Sequence, residues 1–422
     1  MKPALNGILS VLIAGLIFLA ACSTARRGES ELPNIILITI DALRADHLSC
    51  YGYPFPTSPH IDDLARKSIV FEDAFCTVPK TSGSFASLMT GLHPFVHKTR
   101  PNADDLEQKY ITLAEALKMR GYHNFAVVDN SNLSPKFGFD QGFDQFLGVW
   151  DEREDKAASA PFITRTILNF LGSNPDKPFF LWAHYIDPHA PYEPPEEFVE
   201  ARPPGRNIGK IEKKTVLSMG DRIEAGNSSE GYFISLYDGA IKYIDSEIKK
   251  VTDALFAHSF QKNTILILTS DHGEELGEHN LFFDHGQLTF SSSTRVPLIV
   301  FVPKEEGRRV KQPVSLMDLY PTLLEKVGLV PPYELQGTNL FVRSRDRFLF
   351  IRGGGESYAV VQERFLLVKV DPQLAQELGL KNSYFFDLLA DPEGKQDISA
   401  RRKDLQRLME EKYREFLERH GD

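Results

Sequence analysis

Cysteine is scarce in this chain, with three in 422 residues. That excludes a dense disulfide framework and any two-cysteine zinc motif. Net positive charge is lacking as well. Forty-eight Lys and Arg against 58 Asp and Glu leave a formal charge of -10. This argues against a nucleic-acid partner, which calls for a concentrated basic face. Gly (29) and Pro (26) stay near average usage, so no long low-complexity tract fits. The apolar stretch from Leu9 to Ala21 is too short for a comfortable transmembrane helix. What remains, 42% hydrophobic and 25% charged, is the balance of a globular protein with a sizeable core.

The N-terminus has a basic start at Lys2, a short apolar core and small residues before Cys22. That pattern is a secretory signal. Leu19-Ala20-Ala21-Cys22 resembles the bacterial lipobox, which implies lipidation of Cys22 and a membrane-anchored place on the exported side of a bacterial envelope. Ser23 after it is compatible with an outer-membrane destination. The expected division is a signal peptide over 1–21, a polar tether over 22–33, a catalytic α/β domain over 34–344 and a C-terminal subdomain over 345–422. Cys50 and Cys76 are compatible with a disulfide or with two separate buried thiols.

Asn34–Ile40 and Thr264–Thr269 are apolar runs of the kind buried on both faces of a sheet. Further core strands are expected at Phe125–Val128, Phe179–His184 and Pro297–Phe301. Helical spacing marks Ile61–Lys67, Ser84–Met89, Leu113–Met119, Pro161–Leu171, Gly231–Phe256 and Leu316–Val327. The alternation predicts an α/β fold with a large, mainly parallel sheet covered by helices on both faces. Pro203–Met219 reads as a surface insertion. From about Arg345 short strands and then a charged helix indicate a small α+β subdomain.

In open parallel sheets ligands collect at the carboxyl ends of strands. Asp41, Asp271 and His272 fall at such ends. Two carboxylates and an imidazole suit a divalent cation. Asp46 supplies a second acid close to Asp41.

Asp41-Ala42-Leu43-Arg44-Ala45-Asp46-His47-Leu48, followed by Thr57-Ser58-Pro59-His60-Ile61-Asp62, resembles the opening of the sulfatase family within the alkaline phosphatase superfamily. Ser87-Leu88-Met89-Thr90-Gly91, Asp187-Pro188-His189-Ala190-Pro191-Tyr192 and Ser270-Asp271-His272-Gly273-Glu274-Glu275 continue the resemblance in order, as do Asp318-Leu319-Tyr320-Pro321-Thr322 and Phe386-Asp387-Leu388. It spans nearly all of the chain after the leader. It implies an alkaline-phosphatase-like fold and one divalent metal ion: Ca²⁺, Mg²⁺ or Mn²⁺, with Zn²⁺ also compatible.

The family's catalytic residue is usually a Cys or Ser converted to formylglycine within Cys/Ser-x-Pro-Ser-Arg. The corresponding position here is Thr81, in Thr81-Ser82-Gly83-Ser84-Phe85, so the modifiable residue and its context are both missing. Related phosphodiesterases and phosphotransferases use Thr as nucleophile. Taken alone, Thr81 reads as a helix N-cap; with the ordered motifs it reads as a metal-bound nucleophile, with Ser82 and Ser84 as neighbouring hydroxyls. His189 resembles the family's substrate-side histidine; without the family it reads as a structural His in a Pro-rich turn. Four residues are expected to contact substrate. His285 occupies a zone where relatives carry a Lys or, in the phosphodiesterase branch, a ligand to a second zinc. Asn130 and Asn132 are expected to point the same way from an extended segment. Lys80 either adds positive charge or is a solvated lysine.

The leading expectation is a metal-dependent hydrolase of sulfuric or phosphoric esters, acting on a small-molecule, glycan or lipid substrate. Thr cannot expel sulfate as formylglycine hydrate does, which tilts the chemistry toward phosphodiesters and phosphonate esters. The alternatives are transfer of a phosphoryl group to a lipid or glycan acceptor, and an anchored binding protein without catalysis.

Overall fold

The computed structural model describes residues 32–99, 105–150, 159–175, 178–207, 229–257, 259–342 and 346–421. The leader and Cys22 lie outside them, as does most of the Pro203–Met219 insertion. Residues from Pro33 to Asp422 form one compact unit.

Its centre is a nine-stranded sheet. The strands are β1 (Asn34–Ile40), β2 (Ile69–Phe75), β3 (His123–Val128), β4 (Gln145–Gly148), β5 (Phe179–Tyr185) and β6 (Thr264–Thr269), then, after a small hairpin of β7 (Glu275–Leu276) and β8 (Phe282–Asp284), β9 (Arg295–Phe301), β10 (Arg308–Val310) and β11 (Val314–Ser315). The order is β10-β2-β9-β6-β1-β5-β3-β4, with β11 also on β2. All neighbours are parallel except at β9, which runs antiparallel to both β2 and β6. β1 is buried on both faces, as its unbroken apolar run requires.

Strand parity sorts the side chains. Ile36, Ile38, Ile40, Leu181, Ala183, Leu266 and Leu268 face one core, shared with helices Ser159–Gly172 and Glu230–Ala257. The opposite parity carries Thr39, Trp182 and His184 toward helix Thr81–Thr90, whose Phe85 packs on the Trp182 and His184 rings. Sequence alone does not mark β2 as a strand, because Glu72 and Asp73 interrupt its apolar run. A register irregularity between Phe71 and Ala74 lifts these two acids out of the β9 ladder. Arg309 and Arg295 pair with them.

The C-terminal residues form an antiparallel meander of β12 (Phe348–Arg352), β13 (Tyr358–Gln362), β14 (Phe365–Lys369) and β15 (Ser383–Asp387). Alternation again separates two faces. Val361, Leu366, Val368 and Phe386 pack against Phe75, Leu288 and Phe290 of the main body. Val360, Leu367 and Phe385 pack against Leu405, Met409 and Tyr413 of helix Lys403–His420. Cys50 and Cys76 are both free thiols.

Two histidines tie the helix Thr81–Thr90 to this meander. His93 Nε2–H donates to Phe350 O at 3.0 Å. His97 Nε2 lies 3.0 Å from Ser87 Oγ. Both are buried, and burial, reinforced by the Arg352 charge, pushes both down to about 3 from 6.5. A depressed folded-state pKa means that the unfolded chain takes the proton first. The stability is therefore full above pH 6.5 and is lost progressively as pH falls toward 3. Each histidine contributes a slope of up to about 1.4 kcal/mol per pH unit. Urea unfolding at pH 7, 6 and 5 should show His97→Gln losing less stability with acidification than the wild type. Parallel losses in the two proteins would contradict the assignment.

Candidate metal centre and active site

The site is assembled by register. β1 and β6 pair with Thr39 opposite Thr269. Two residues further on, at the same parity, stand Asp41 and Asp271. β5 pairs Thr39 with His184, which places that imidazole at the same level. Asp41, Asp271 and His272 are wholly buried. One ligand atom from each of the three lies within 4.8 Å of the others.

The turn after β1 is held open for this purpose. Ala42 sits at φ 57°, a left-handed conformation that costs a non-glycine residue roughly 1 kcal/mol or more. Tyr237 fixes it by donating to Ala42 O and accepting from Arg44 N, at 2.7 and 2.9 Å. After His272 the chain passes so close to Ser292 that a Cβ on Gly273 would lie 1.9 Å from the Ser292 carbonyl oxygen, so only glycine fits.

His272 Nδ1 donates to Gly273 O at 2.9 Å. A carbonyl can only accept, so Nδ1 carries the proton and Nε2 presents a lone pair. Burial holds the ring neutral by pushing its pKa down. That lone pair points into a group of oxygens: Asp271 Oδ2 at 3.3 Å, Asp41 Oδ1 at 3.6 Å and Thr81 Oγ1 at 3.2 Å. Asp41 Oδ1 and Asp271 Oδ2 have no hydrogen-bond partner despite their burial. Burial and the neighbouring Asp41 charge push the Asp271 carboxyl up, while the His189 charge and the hydrogen bond with His184 outweigh burial and hold Asp41 down. Converging acceptors with orphaned oxygens fit a divalent cation, whose opposed ligands stand about 4–5 Å apart.

Three hydroxyls open the helix Thr81–Thr90, and only one faces the cluster. Ser82 Oγ donates to Asn132 O at 3.2 Å, and Ser84 Oγ to Asp271 O at 2.6 Å. Thr81 Oγ1 faces His272. Thr81 is the first helical residue and Lys80 the cap, with no side-chain capping bond. The plain N-cap reading of Thr81 therefore does not hold.

His189 Nδ1–H is tied to Ala190 O at 2.6 Å, and its ring meets His285 edge-on at 5.1 Å. His285 stacks on His272 at 4.1 Å and contacts Glu274 Oε1 through Nδ1 at 3.1 Å. Burial, with His272, His189 and Lys80 adding, pushes His285 far below its usual range, so it is neutral. Lys80 lies across Gly286, where a Cβ would sit 1.8 Å from its Cε.

Two expectations need correction. Asn130 and Asn132 do not share an extended segment: a 3₁₀ turn, Ser131–Leu133, starts between them. Asn130 Oδ1 caps that turn by accepting from Asn132 N, and its Nδ2 donates to Asp41 Oδ2 at 2.7 Å. Asn130 is thus engaged in orienting the carboxylate. Asp46 stays out of the cluster because Arg44 binds it at 2.7 and 2.9 Å. One residue escaped sequence reading, His184, which contacts Asp41 Oδ2 at 3.3 Å and Thr39 Oγ1 at 2.9 Å.

Comparison with known proteins bears on the family and the fold. The Sulfatase family model matches residues 33–329. A "Sulfatase" of Formosa agariphila is 28% identical over 71% of this chain and 70% of its own. The phosphonate monoester hydrolase of Agrobacterium radiobacter has a similar fold, with TM-score 0.72, 20% identity and coverage of 92% and 96% of the two chains. A structure solved in complex with D-glucosamine-2-N,6-O-disulfate superposes with TM-score 0.76 at 19% identity, covering 93% and 99%.

Divalent metal should raise the melting temperature of the wild type, since a ligand at a hundredfold excess over Kd adds about 2.7 kcal/mol. Asp41→Asn and Asp271→Asn should lose that response. In chelator, Asp271→Asn should melt no lower than wild type, because one of two repelling carboxylates is gone. A full metal response in either variant would remove the site.

Proposed function

The chain belongs to the sulfatase family of ester hydrolases, and from that membership we propose that it cleaves sulfuric or phosphoric esters with Thr81 as the nucleophile. The observation that carries this is the Thr81 hydroxyl, buried and 3.2 Å from His272 Nε2, while Ser82 and Ser84 are engaged by backbone carbonyls. A divalent cation held by Asp41, Asp271 and His272 would favour the ionised hydroxyl and offset charge on the transferred group. Thr81 Oγ1, its proton released to solvent, attacks sulfur or phosphorus in line, and the bond to the leaving oxygen breaks. His189 Nδ1–H is engaged by Ala190 O, and the protonated ring would give the leaving oxygen its Nε2 proton. Water then attacks the covalent ester and gives a proton to His189, the bond to Thr81 Oγ1 breaks, and the threonine oxygen takes a proton from solvent.

Threonine has no second hydroxyl on its reacting carbon, so sulfate cannot depart by the elimination open to formylglycine hydrate. Release by water favours phosphorus as the electrophile. Asn130 and Asn132 add no positive charge, which favours singly charged esters. The expected ranking is phosphodiester or phosphonate monoester first, then phosphate monoester and sulfate ester. Small-molecule, glycan and lipid esters remain the substrate classes.

A panel of these four ester classes with Ca²⁺, Mg²⁺, Mn²⁺ and Zn²⁺ tests the reading. Thr81→Ala should lose at least about a thousandfold in kcat, while Thr81→Ser keeps partial activity. Wild-type rates in Thr81→Ala would remove Thr81 from the mechanism. Aryl sulfate turnover without any phosphodiester turnover would reverse the ranking.

Cys22, outside the described residues, is proposed to carry lipid and anchor the protein on the exported side of the bacterial envelope. Cell fractionation checks this: Cys22→Ser should leave the membrane fraction or fail to mature, and unchanged membrane association would end the claim.

A further inference from the structure

Beside the helix Thr81–Thr90 lies a second cavity, of about 410 Å³. Its walls come from both parts of the fold. Lys80, Gly83 and Thr99 belong to the main body, and Arg352 with Gly353-Gly354-Gly355 to the C-terminal meander. Arg352 N donates to Thr77 O at 2.9 Å, which holds the meander four residues ahead of Thr81.

The polar groups of this cavity are short of partners. Among the described residues neither Lys80 nor Arg352 has a carboxylate within ion-pair distance, in a chain whose net charge is -10. Arg352 lies over the Phe95 ring at 4.9 Å. That stacking fixes the guanidinium plane and leaves its N–H donors unspent. Thr99 is 3% exposed, and its hydroxyl has no hydrogen-bond partner. The exposed Gln287 side chain also lines the cavity. The acid beside the glycine turn, Asp371, is already occupied, accepting from the backbone N–H groups of Glu356, Gln373 and Leu374. Gly354 has no room for a side chain, since a Cβ would meet Gln287 Oε1 at 2.1 Å.

The geometry points to a subsite for a second anionic group of the substrate, one that is bound and not cleaved. Resting on the hydrolase reading above, this makes the preferred substrate an ester that carries a second, non-scissile anion, with Arg352 as its specificity-determining residue. A flat carboxylate or a tetrahedral sulfate or phosphate each accept two parallel N–H donors from a guanidinium. Lys80 lines this cavity and directly precedes Thr81, so it adjoins both the cavity and the reacting hydroxyl. Thr99 and Gln287 supply neutral donors. A volume of about 410 Å³ holds a charged sugar substituent with its ring and falls within the usual range of small-ligand sites.

The test uses matched saccharide esters that share one scissile group. One is otherwise neutral, one bears a uronate carboxylate, and one bears a second, non-scissile sulfate. In Arg352→Gln the ratio of kcat/KM for the acidic over the neutral ester should fall about tenfold, mostly through KM, the loss of one charge-assisted contact. Arg352→Lys should restore part of it. Whichever acidic ester shows the larger fall identifies the anion. An unchanged ratio for both acidic esters, in a variant that melts like wild type, overturns the subsite. If the wild type turns over none of the three, the four-class ester panel decides the hydrolase reading, and calorimetric binding of glucuronate against glucose decides the subsite by itself. Binding that is selective for glucuronate and lost in Arg352→Gln supports it. Equal or absent binding overturns it.

Discussion

Two buried carboxylates facing one another set the terms for the rest of this molecule. In-register pairing of β1 with β6 carries Asp41 and Asp271 to one level at the centre of the sheet. Two like charges about 4–5 Å apart repel by roughly 3–4 kcal/mol at an effective dielectric near 20. The surrounding donors reach only one oxygen of each acid, Asn130 Nδ2 on Asp41 Oδ2 and Ala42 N on Asp271 Oδ1. His272 adds a lone pair, and one oxygen of each acid is left without a partner. The strained Ala42 and the tightly packed Gly273 hold the arrangement in place. Such a cluster is self-consistent only around positive charge, and the Thr81 hydroxyl and the His285 ring are arranged about that centre.

The metal-ligand candidates were legible because each follows an unbroken apolar run, and such runs end where an open parallel sheet presents its ligands. Parity and register, which bring Asp41 level with Asp271, depend on which strands pair and so lie beyond hydropathy. His184 was hidden for the opposite reason: it sits inside Phe179–Tyr185, where a lone imidazole in an apolar run reads as core. The antiparallel direction of β9 leaves no trace either, since a strand buried on both faces looks the same running either way. Asn130 and Asn132 were read as extended, but Asn130 can cap a turn through its own side chain, and a local hydrogen bond outweighed continuation of the strand.

The C-terminal meander is visible in the sequence as a change of texture, short strands followed by a charged helix. Its role was not visible. Alternation along β13 and β14 turns one face to the main body and the other to the terminal helix. This docking brings Arg352 beside the helix that carries Thr81. The cavity beside that helix is therefore walled by both parts of the fold, with Lys80 from the main body and Arg352 from the meander.

The centrality of β1 also governs how the chain reaches its native state. Its two neighbours lie far away in sequence, as the contacts Thr39–His184, 145 residues apart, and Asn34–Thr264, 230 residues apart, show. Contacts of such long range make folding slow, because loop closure precedes any reward from pairing. The two acids remain apart and hydrated until β6 docks on β1. Their repulsion then rises in the same event that completes the sheet, so it opposes the late part of folding more than the early collapse. A cation present at that moment removes an obstacle on the folding path as well as stabilising its end point. If the pair holds a cation, metal supply would bear on the yield of folded protein as well as on activity.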